Sequence, residues 1–418
     1  MILTQRALLV LACLAPALLL DRLAGWGFVA AAAALGLVAL LSASGSALGR
    51  AWTSCRPALP GAIVLLAIPV LQLLPWAPSS LASPIWDLTA QALQIDDIGR
   101  SISLDPAATL ASLTKIAALL AFTATTALVA ADRTQASQLY RAACLSAALT
   151  VALLIAGGWL GLIAADIGFA AEFLGSLCII MATALGAATQ GRAQARSSAQ
   201  SMRINLVVAG ATALAGVAAL AIGPSLAGLV TTIAGAAICV VATRLKLPRF
   251  GTRTAAVISL LVTVLAGTAI LAPSRGAGAV LASAPRPERT MQAADTQRML
   301  ADTLLLGAGD GSFDRLAELY GGGAETSNVP TAALRIYVED GPVGWLALLA
   351  GATFLALKLL AGAARRGRDR HYAASAAASV LVAIVGSAWT AGPALAAPQV
   401  VMAMVIGIGL AQRRSAEA

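Results

Sequence analysis

"INLVVAGATALAGVAALAIGPSLAGLVTTIAGAAICVVATRLKLPRFGTR" (Ile204–Arg253) decides the fold class. Two apolar runs, 204–222 and 225–243, flank a Gly-Pro-Ser turn, and the second ends in Arg244, Lys246, Arg249 and Arg253 with no acid among them. Runs near 20 residues long match a helix that crosses a hydrocarbon core roughly 30 Å thick. In lipid the backbone must bond to itself, so these runs are helices. Basic clusters collect at cytoplasmic ends.

The same pattern extends over the whole chain. It is 59% hydrophobic and only 11% charged, with mean hydropathy +0.85, whereas a soluble domain is about a quarter charged. Twelve apolar segments are read: 7–20, 24–41, 58–77, 107–131, 142–164, 167–188, 204–222, 225–243, 254–272, 332–360, 372–391 and 395–411. With twelve crossings, Arg6, Arg50 and Arg56, Arg133 and Arg141, Arg192, Arg196 and Arg203, the 243–253 cluster, Arg365 to Arg370, and Arg413 with Arg414 all fall on one side. The other side receives 78–106, with four aspartates against Arg100, and 273–331, with seven acids and five arginines. The expectation is an all-α polytopic integral membrane protein, a single membrane domain over 1–418 with about twelve transmembrane helices. Both termini are cytoplasmic, and a large outer loop, 273–331, lies between helices 9 and 10.

Net charge +9 follows from the same loops and does not call for nucleic acid. Five cysteines form neither a disulfide framework nor a CxxC metal spacing, and no metal or cofactor is expected. The start, "MILTQRALLVLACLAPALLLDRLAG", resembles a signal peptide or a lipobox at Cys13, but the run before that cysteine is short and more spans follow, so an uncleaved first helix is expected. No internal repeat is seen.

The outer loop carries the chemistry-bearing residues. "RPERTMQAADTQRMLADTLLL" (Arg286–Leu306) has helical spacing and is expected as an amphipathic helix on the membrane surface. "GAGDGSF" then turns, "FDRLAELY" forms a second short helix, and "GGGAETSNVP" breaks it. Gly307, Gly309 and Gly311 spell GxGxG without a preceding strand, which reads as turn glycine rather than nucleotide binding. Arg275, Arg286, Arg289, Arg298 and Arg315 stand where positive charge is normally scarce, and guanidinium forks suit phosphate or pyrophosphate. Lys115 and Glu172 lie within apolar runs, near enough to their ends to reach the interface. The single histidine, His371, sits in "RRGRDRHY" and is expected in a solvated cytoplasmic loop.

Four stretches carry a resemblance: "PIWDLTAQALQIDDIGRSISLDPAATLASLTKIAALLAF" (Pro84–Phe122), "ERTMQAADTQRMLADTLLLGAGDGSF" (Glu288–Phe313), "LRIYVEDGPVGWLALL" (Leu334–Leu349) and "GPALAAPQVVMAMVIGIGLAQRR" (Gly392–Arg414). Together they resemble the O-antigen ligase and polysaccharide polymerase superfamily, in particular its exopolysaccharide-ligase-like members. The resemblance implies a protein of the bacterial inner membrane that joins glycans on the periplasmic face. Its donor would be an undecaprenyl-pyrophosphate-linked saccharide, its acceptor a lipid or glycan, and its neighbours polysaccharide-assembly proteins. Arg289 matches the arginine that opens the loop helix, a pyrophosphate contact. Arg192, in "TQGRAQ", matches the arginine of a Ser-Arg-Gly stretch, although the charge pattern puts it at the cytoplasmic end.

Two departures bear on activity. Where the family has a histidine before the tenth helix, this chain reads "SNVPTAAL" with Pro330 at that place, and the family's Asn/Arg/His stretch at the sixth helix reads "DIGF" here. Arg275, Arg289, Arg298 and Arg192 remain as pyrophosphate contacts, and Asp310, Asp314 or Glu325 remain as bases. A glycosyltransferase, a catalytically inactive lipid-linked-glycan-binding relative and a lipid-linked-sugar transporter all stay open at this point.

Overall fold

The structure, a computed structural model, describes residues 2–18, 22–75, 78, 83, 85–94, 100–159, 167–193, 199–222, 225–244, 293–320, 331–365 and 369–412. Among them the regular elements are helical: α1 (Ile2–Leu18), α2 (Arg22–Ser42), α3 (Gly45–Cys55), α4 (Leu59–Gln72), α5 (Ile85–Leu93), α6 (Pro106–Val129), α7 (Arg133–Trp159), α8 (Ile167–Ala193), α9 (Ala199–Ile222), α10 (Leu226–Arg244), α11 (Ala293–Ala301), α12 (Phe313–Tyr320), α13 (Ala332–Arg365), α14 (Arg370–Gly386) and α15 (Ala396–Ala411). Eight spans among the described residues are long and apolar enough to cross a membrane, and α14 and α15 are shorter apolar helices. Among the described residues the protein is all-helical, with the apolar helices of a polytopic membrane protein. Each expected segment falls on a helix except the ninth, 254–272, which lies outside the described residues.

Two basic stretches read as loops are helical instead. Residues 45–72 run as α3, a 3₁₀ turn at Arg56–Ala58 and α4, because the Ser44 hydroxyl caps α3 by accepting from the Ala47 N–H at 3.3 Å. Helix α7 begins at Arg133 rather than near residue 142. The Asp132 carboxylate starts it by accepting from the Thr134 N–H at 2.7 Å and the Thr134 hydroxyl at 2.5 Å.

The chain forms two compact units. One comprises Met1–Leu59, Ala118–Ile258 and Ala352–Ala418. Here α8 packs against α9, α10 and α14, and α7 against α1 and α9. Small residues set the spacing, as between membrane helices generally. A Cβ on Gly175 of α8 would sit 2.8 Å from the Ala219 Cβ, and one on Gly216 of α9 would sit 2.8 Å from the Gly175 carbonyl oxygen. Polar groups in this unit pair with one another: Tyr140 donates to Ser375 at 2.7 Å, and Ser225 donates to the buried Glu172, over which Gly228 leaves no room for a side chain. His371 is not a solvated loop residue. It is buried in the first turn of α14, edge-on to Tyr140 and 3.9 Å between ring centroids from Tyr372.

The other unit comprises Pro60–Ala117 and Ser259–Gly351. Within it, Met299 of α11 joins Phe313 and Ala317 of α12 and Leu334 and Val338 of α13 in a small apolar cluster. The loop helix expected on the membrane surface thus turns Met299 onto protein. Lys115 is exposed on α6.

Candidate functional site

Helix α13 breaks once. Gly341 takes φ 72° and ψ 173° in its midst, and Pro342 follows. Proline has no N–H to return to the Val338 carbonyl, and the break frees the Glu339 carbonyl as well. Buried carbonyls need partners. The glycine turn supplies them: Ala308 N–H donates to Val338 at 2.9 Å and Gly309 N–H to Glu339 at 3.1 Å, while Val343 N–H turns to the Leu305 carbonyl at 3.4 Å. The turn and the broken helix complete each other's hydrogen bonds.

Glycine is required on both sides of this junction. Gly307, Gly309 and Gly311 have φ of 73°, 110° and 82°, the region that side chains disfavour. A Cβ on Gly307 would fall on the Glu339 carbonyl, and one on Gly309 would lie 2.8 Å from the Thr109 hydroxyl. Leu104 N–H donates to the Ala308 carbonyl at 2.7 Å, tying the turn to the segment that precedes α6.

One side chain crosses the junction. Gln72, the last residue of α4 and fully buried, donates through Nε2 to the carbonyls of Leu306 (2.7 Å) and Glu339 (2.8 Å). Its Oε1 accepts from the Asp310 N–H at 3.0 Å.

Charge gathers where these elements meet. Glu339, 5% exposed, accepts from the Phe313 N–H at the start of α12 (3.2 Å) and from Arg335 Nε (3.1 Å). Arg335 also reaches Asp314 at 3.4 Å. Asp310 accepts from the Ser112 hydroxyl at 2.8 Å, and Glu339 is close enough to act on its carboxyl. Asp340 is buried and adds a third carboxyl to the electrostatics of the pair. Burial pushes the Asp310 carboxyl above its ordinary value, against the Ser112 hydrogen bond and the Arg335 charge, which pull it down. Asp310 is thereby a carboxylate suited to taking up a proton. Among the described residues no three His, Cys, Asp or Glu side chains converge in a way that would hold a metal ion.

Of the three candidate bases, the two among the described residues part company here. Asp310 is at the centre, whereas Asp314 lies exposed on α12 with only the edge of Arg335 in reach. Arg298 is exposed in the last turn of α11, and the guanidinium at the carboxyl cluster belongs to Arg335. Arg315 is exposed, 3.9 Å from Asp105. Arg192 falls in the last turn of α8, part of the other unit. Arg275, Arg286, Arg289, Glu325 and Pro330 lie outside the described residues. Sequence reading missed Gln72, Ser112, Arg335, Glu339 and Asp340. A signal did exist in "RIYVEDGPVG" (Arg335–Gly344): an arginine and a glutamate at i and i+4, then a second acid, directly before Gly-Pro in an apolar helix.

No protein-family model matches the chain, and a search of curated proteins finds no match. The chemistry of the site is therefore read from its own residues.

Proposed function

We propose that the protein is a glycan ligase or polymerase of the bacterial inner membrane, transferring an undecaprenyl-pyrophosphate-linked saccharide at the periplasmic face during surface-polysaccharide assembly. Asp310 is the base. The observation that carries this reading is the Asp310 carboxyl itself, raised by burial, fixed on a glycine turn and the least buried member of a three-carboxyl cluster. A base with its pKa moved toward the working pH is the group that transfer to a hydroxyl requires. In the step, the acceptor oxygen bonds to the anomeric carbon as the bond from that carbon to the pyrophosphate oxygen breaks. The electron pair leaves with the pyrophosphate, and the acceptor's hydroxyl proton passes to Asp310. The arginines of the outer loop, Arg289 foremost, take the charge that develops on the leaving pyrophosphate.

A second reading has its own support. Gln72 and Glu339 spend their polar atoms on internal bonds, as they would in a rigid platform that binds a lipid-linked glycan without turning it over. One experiment separates the two. The purified protein, in vesicles containing a polyprenyl-pyrophosphate-linked saccharide and a saccharide acceptor, is assayed for release of polyprenyl pyrophosphate. Asp310→Asn should lower turnover by about 10²–10⁴-fold, the usual worth of a positioned base, with donor binding unchanged. Binding without release by the wild type leaves the platform reading. Equal turnover by wild type and Asp310→Asn removes Asp310 from the chemistry.

A further inference from the structure

We infer that Gln72 is the positioning residue of this site, the group that sets where the Asp310 carboxyl stands relative to Ser112 and Glu339. The inference rests on the proposed role of Asp310 as base, and one arm of its test does not.

The turn lacks a shape of its own. Residues 307–311 are Gly-Ala-Gly-Asp-Gly, and three of the five have φ values that glycine alone adopts freely. Glycine also adopts many others, so such a segment does not choose its own shape. Its shape comes from what it is bonded to. The carboxamide of Gln72 touches it on both sides, at the Leu306 carbonyl and at the Asp310 N–H, and holds the same arrangement to the broken helix at the Glu339 carbonyl. Two donors and an acceptor at one end of a buried side chain are what an amide offers and a carboxylate or an ammonium does not. The Asp310 N–H it binds belongs to the residue whose carboxyl accepts from Ser112 and feels the charge of Arg335. Gln72 itself is held by the Ser103 N–H, which donates to its backbone carbonyl at 3.1 Å.

The charged groups around Asp310 fix the sign of the expected response. Arg335, Glu339 and Asp340 face it from α13, Asp314 and Arg315 lie on α12, and Asp105 stands at the start of α6. Gln72→Met keeps the volume of the side chain and removes every hydrogen bond it makes. The turn loosens, water reaches Asp310, and its pKa falls. A base works ionised, so the acidic limb of the pH–rate profile moves to lower pH. Gln72→Glu instead adds a carboxyl beside the cluster and moves that limb to higher pH. Each shift is expected at about one pH unit, the ordinary spread of carboxylates among protein sites. KM should stay within about twofold in both variants while kcat falls, because Gln72 acts through another residue.

The experiment measures the pH profile of transfer for wild type, Gln72→Met and Gln72→Glu, together with amide hydrogen exchange over residues 304–312. The expected result is limb shifts of opposite sign and exchange at Asp310 at least about tenfold faster in Gln72→Met, with α8 and α9 unchanged. Unchanged exchange at Asp310 overturns the inference whatever the activity. Slower turnover with an unmoved limb in both variants also overturns it, since a purely structural role predicts that result. If the wild type does not turn over, the proposed function fails and the exchange arm alone decides whether Gln72 shapes the turn. Should Gln72→Met not accumulate, Gln72→Asn, which keeps the amide one methylene short of its partners, carries the same prediction for exchange.

Discussion

Glycine serves the two compact units in opposite ways. In the first it sits inside helices: Gly175 and Gly216 keep helical φ and let α8 and α9 approach until a Cβ on either would meet the facing helix. In the second, Gly307, Gly309, Gly311 and Gly341 leave helical φ altogether and let a turn bond to a broken helix. A helix pair that loses a small residue can separate slightly and keep its internal hydrogen bonds. A turn that loses such a glycine has no nearby conformation in which the same carbonyls are met. The second unit should therefore be the more brittle wherever its backbone is touched.

The sharpest break in that comparison is Gly341→Val. A side chain here meets a disfavoured φ and the Leu305 carbonyl together. Strain of up to about 3 kcal/mol and overpacking of up to about 3 kcal/mol give an expected loss of roughly 4–6 kcal/mol in thermal or denaturant unfolding of the purified protein. Gly210→Ala in α9, where nothing lies within 4 Å of the added carbon, should be neutral or stabilise by up to about 1 kcal/mol. Similar losses from both would mean that backbone conformation does not distinguish the units.

The next effect concerns charge. The Arg335 side chain is 28% exposed and that of Glu339 is buried, and Asp310 and Asp340 share the same surroundings. Arg335→Met leaves these carboxyls without their guanidinium and should cost about 3 kcal/mol, the lower end of what breaking a buried pair costs. Arg315→Met is the contrast within the same unit. Its pair with Asp105 is long, at 3.9 Å, and 71% exposed on the arginine side, so its loss should stay within about 0.5 kcal/mol. If the two substitutions cost the same, the carboxyl cluster does not depend on Arg335.

How far the sequence could be read follows from the same contrast. Helices α2 and α6 to α10 were legible because an apolar run of membrane length has one outcome, and the two short loop helices were legible from their spacing and the glycines that flank them. Asp310 was legible as an acid beside turn glycines. Its partners were not. Gln72 lies 238 residues away and ends an apolar helix in which a lone glutamine reads as a terminal polar residue. Ser112 is one hydroxyl among several on α6. Arg335 and Glu339 carried a visible spacing, but the Phe313 N–H that Glu339 accepts lies 26 residues away. His371 was misread because charge in its neighbours signals a loop, while Tyr140, whose buried ring stands edge-on to it, comes from a distant part of the chain.

The smallest predicted effect separates two aspartates by sign. Asp132 caps α7, and the Thr134 hydroxyl and then the Thr134 and Gln135 N–H groups hold its carboxyl below the ordinary value of 3.8. Its contribution is complete above that value and is lost only as pH falls through the lower folded-state value. Asp310 is raised above 3.8 by burial. Its contribution is complete below 3.8 and is lost as pH rises through the higher folded-state value. As pH falls toward 3.8, then, amide protection at 308–310 should rise, once intrinsic exchange is corrected for, while protection at 134–136 stays level. Asp310→Asn should flatten the first response. Asp132→Ala should lower protection at the start of α7 by about 1 kcal/mol, the usual worth of an N-cap, without giving it a slope. Protection at 308–310 that fell along with pH would reverse the sign assigned to Asp310 and remove the upward shift on which its role as base rests. A level response there would mean that protonation of Asp310 does not hold the turn in place.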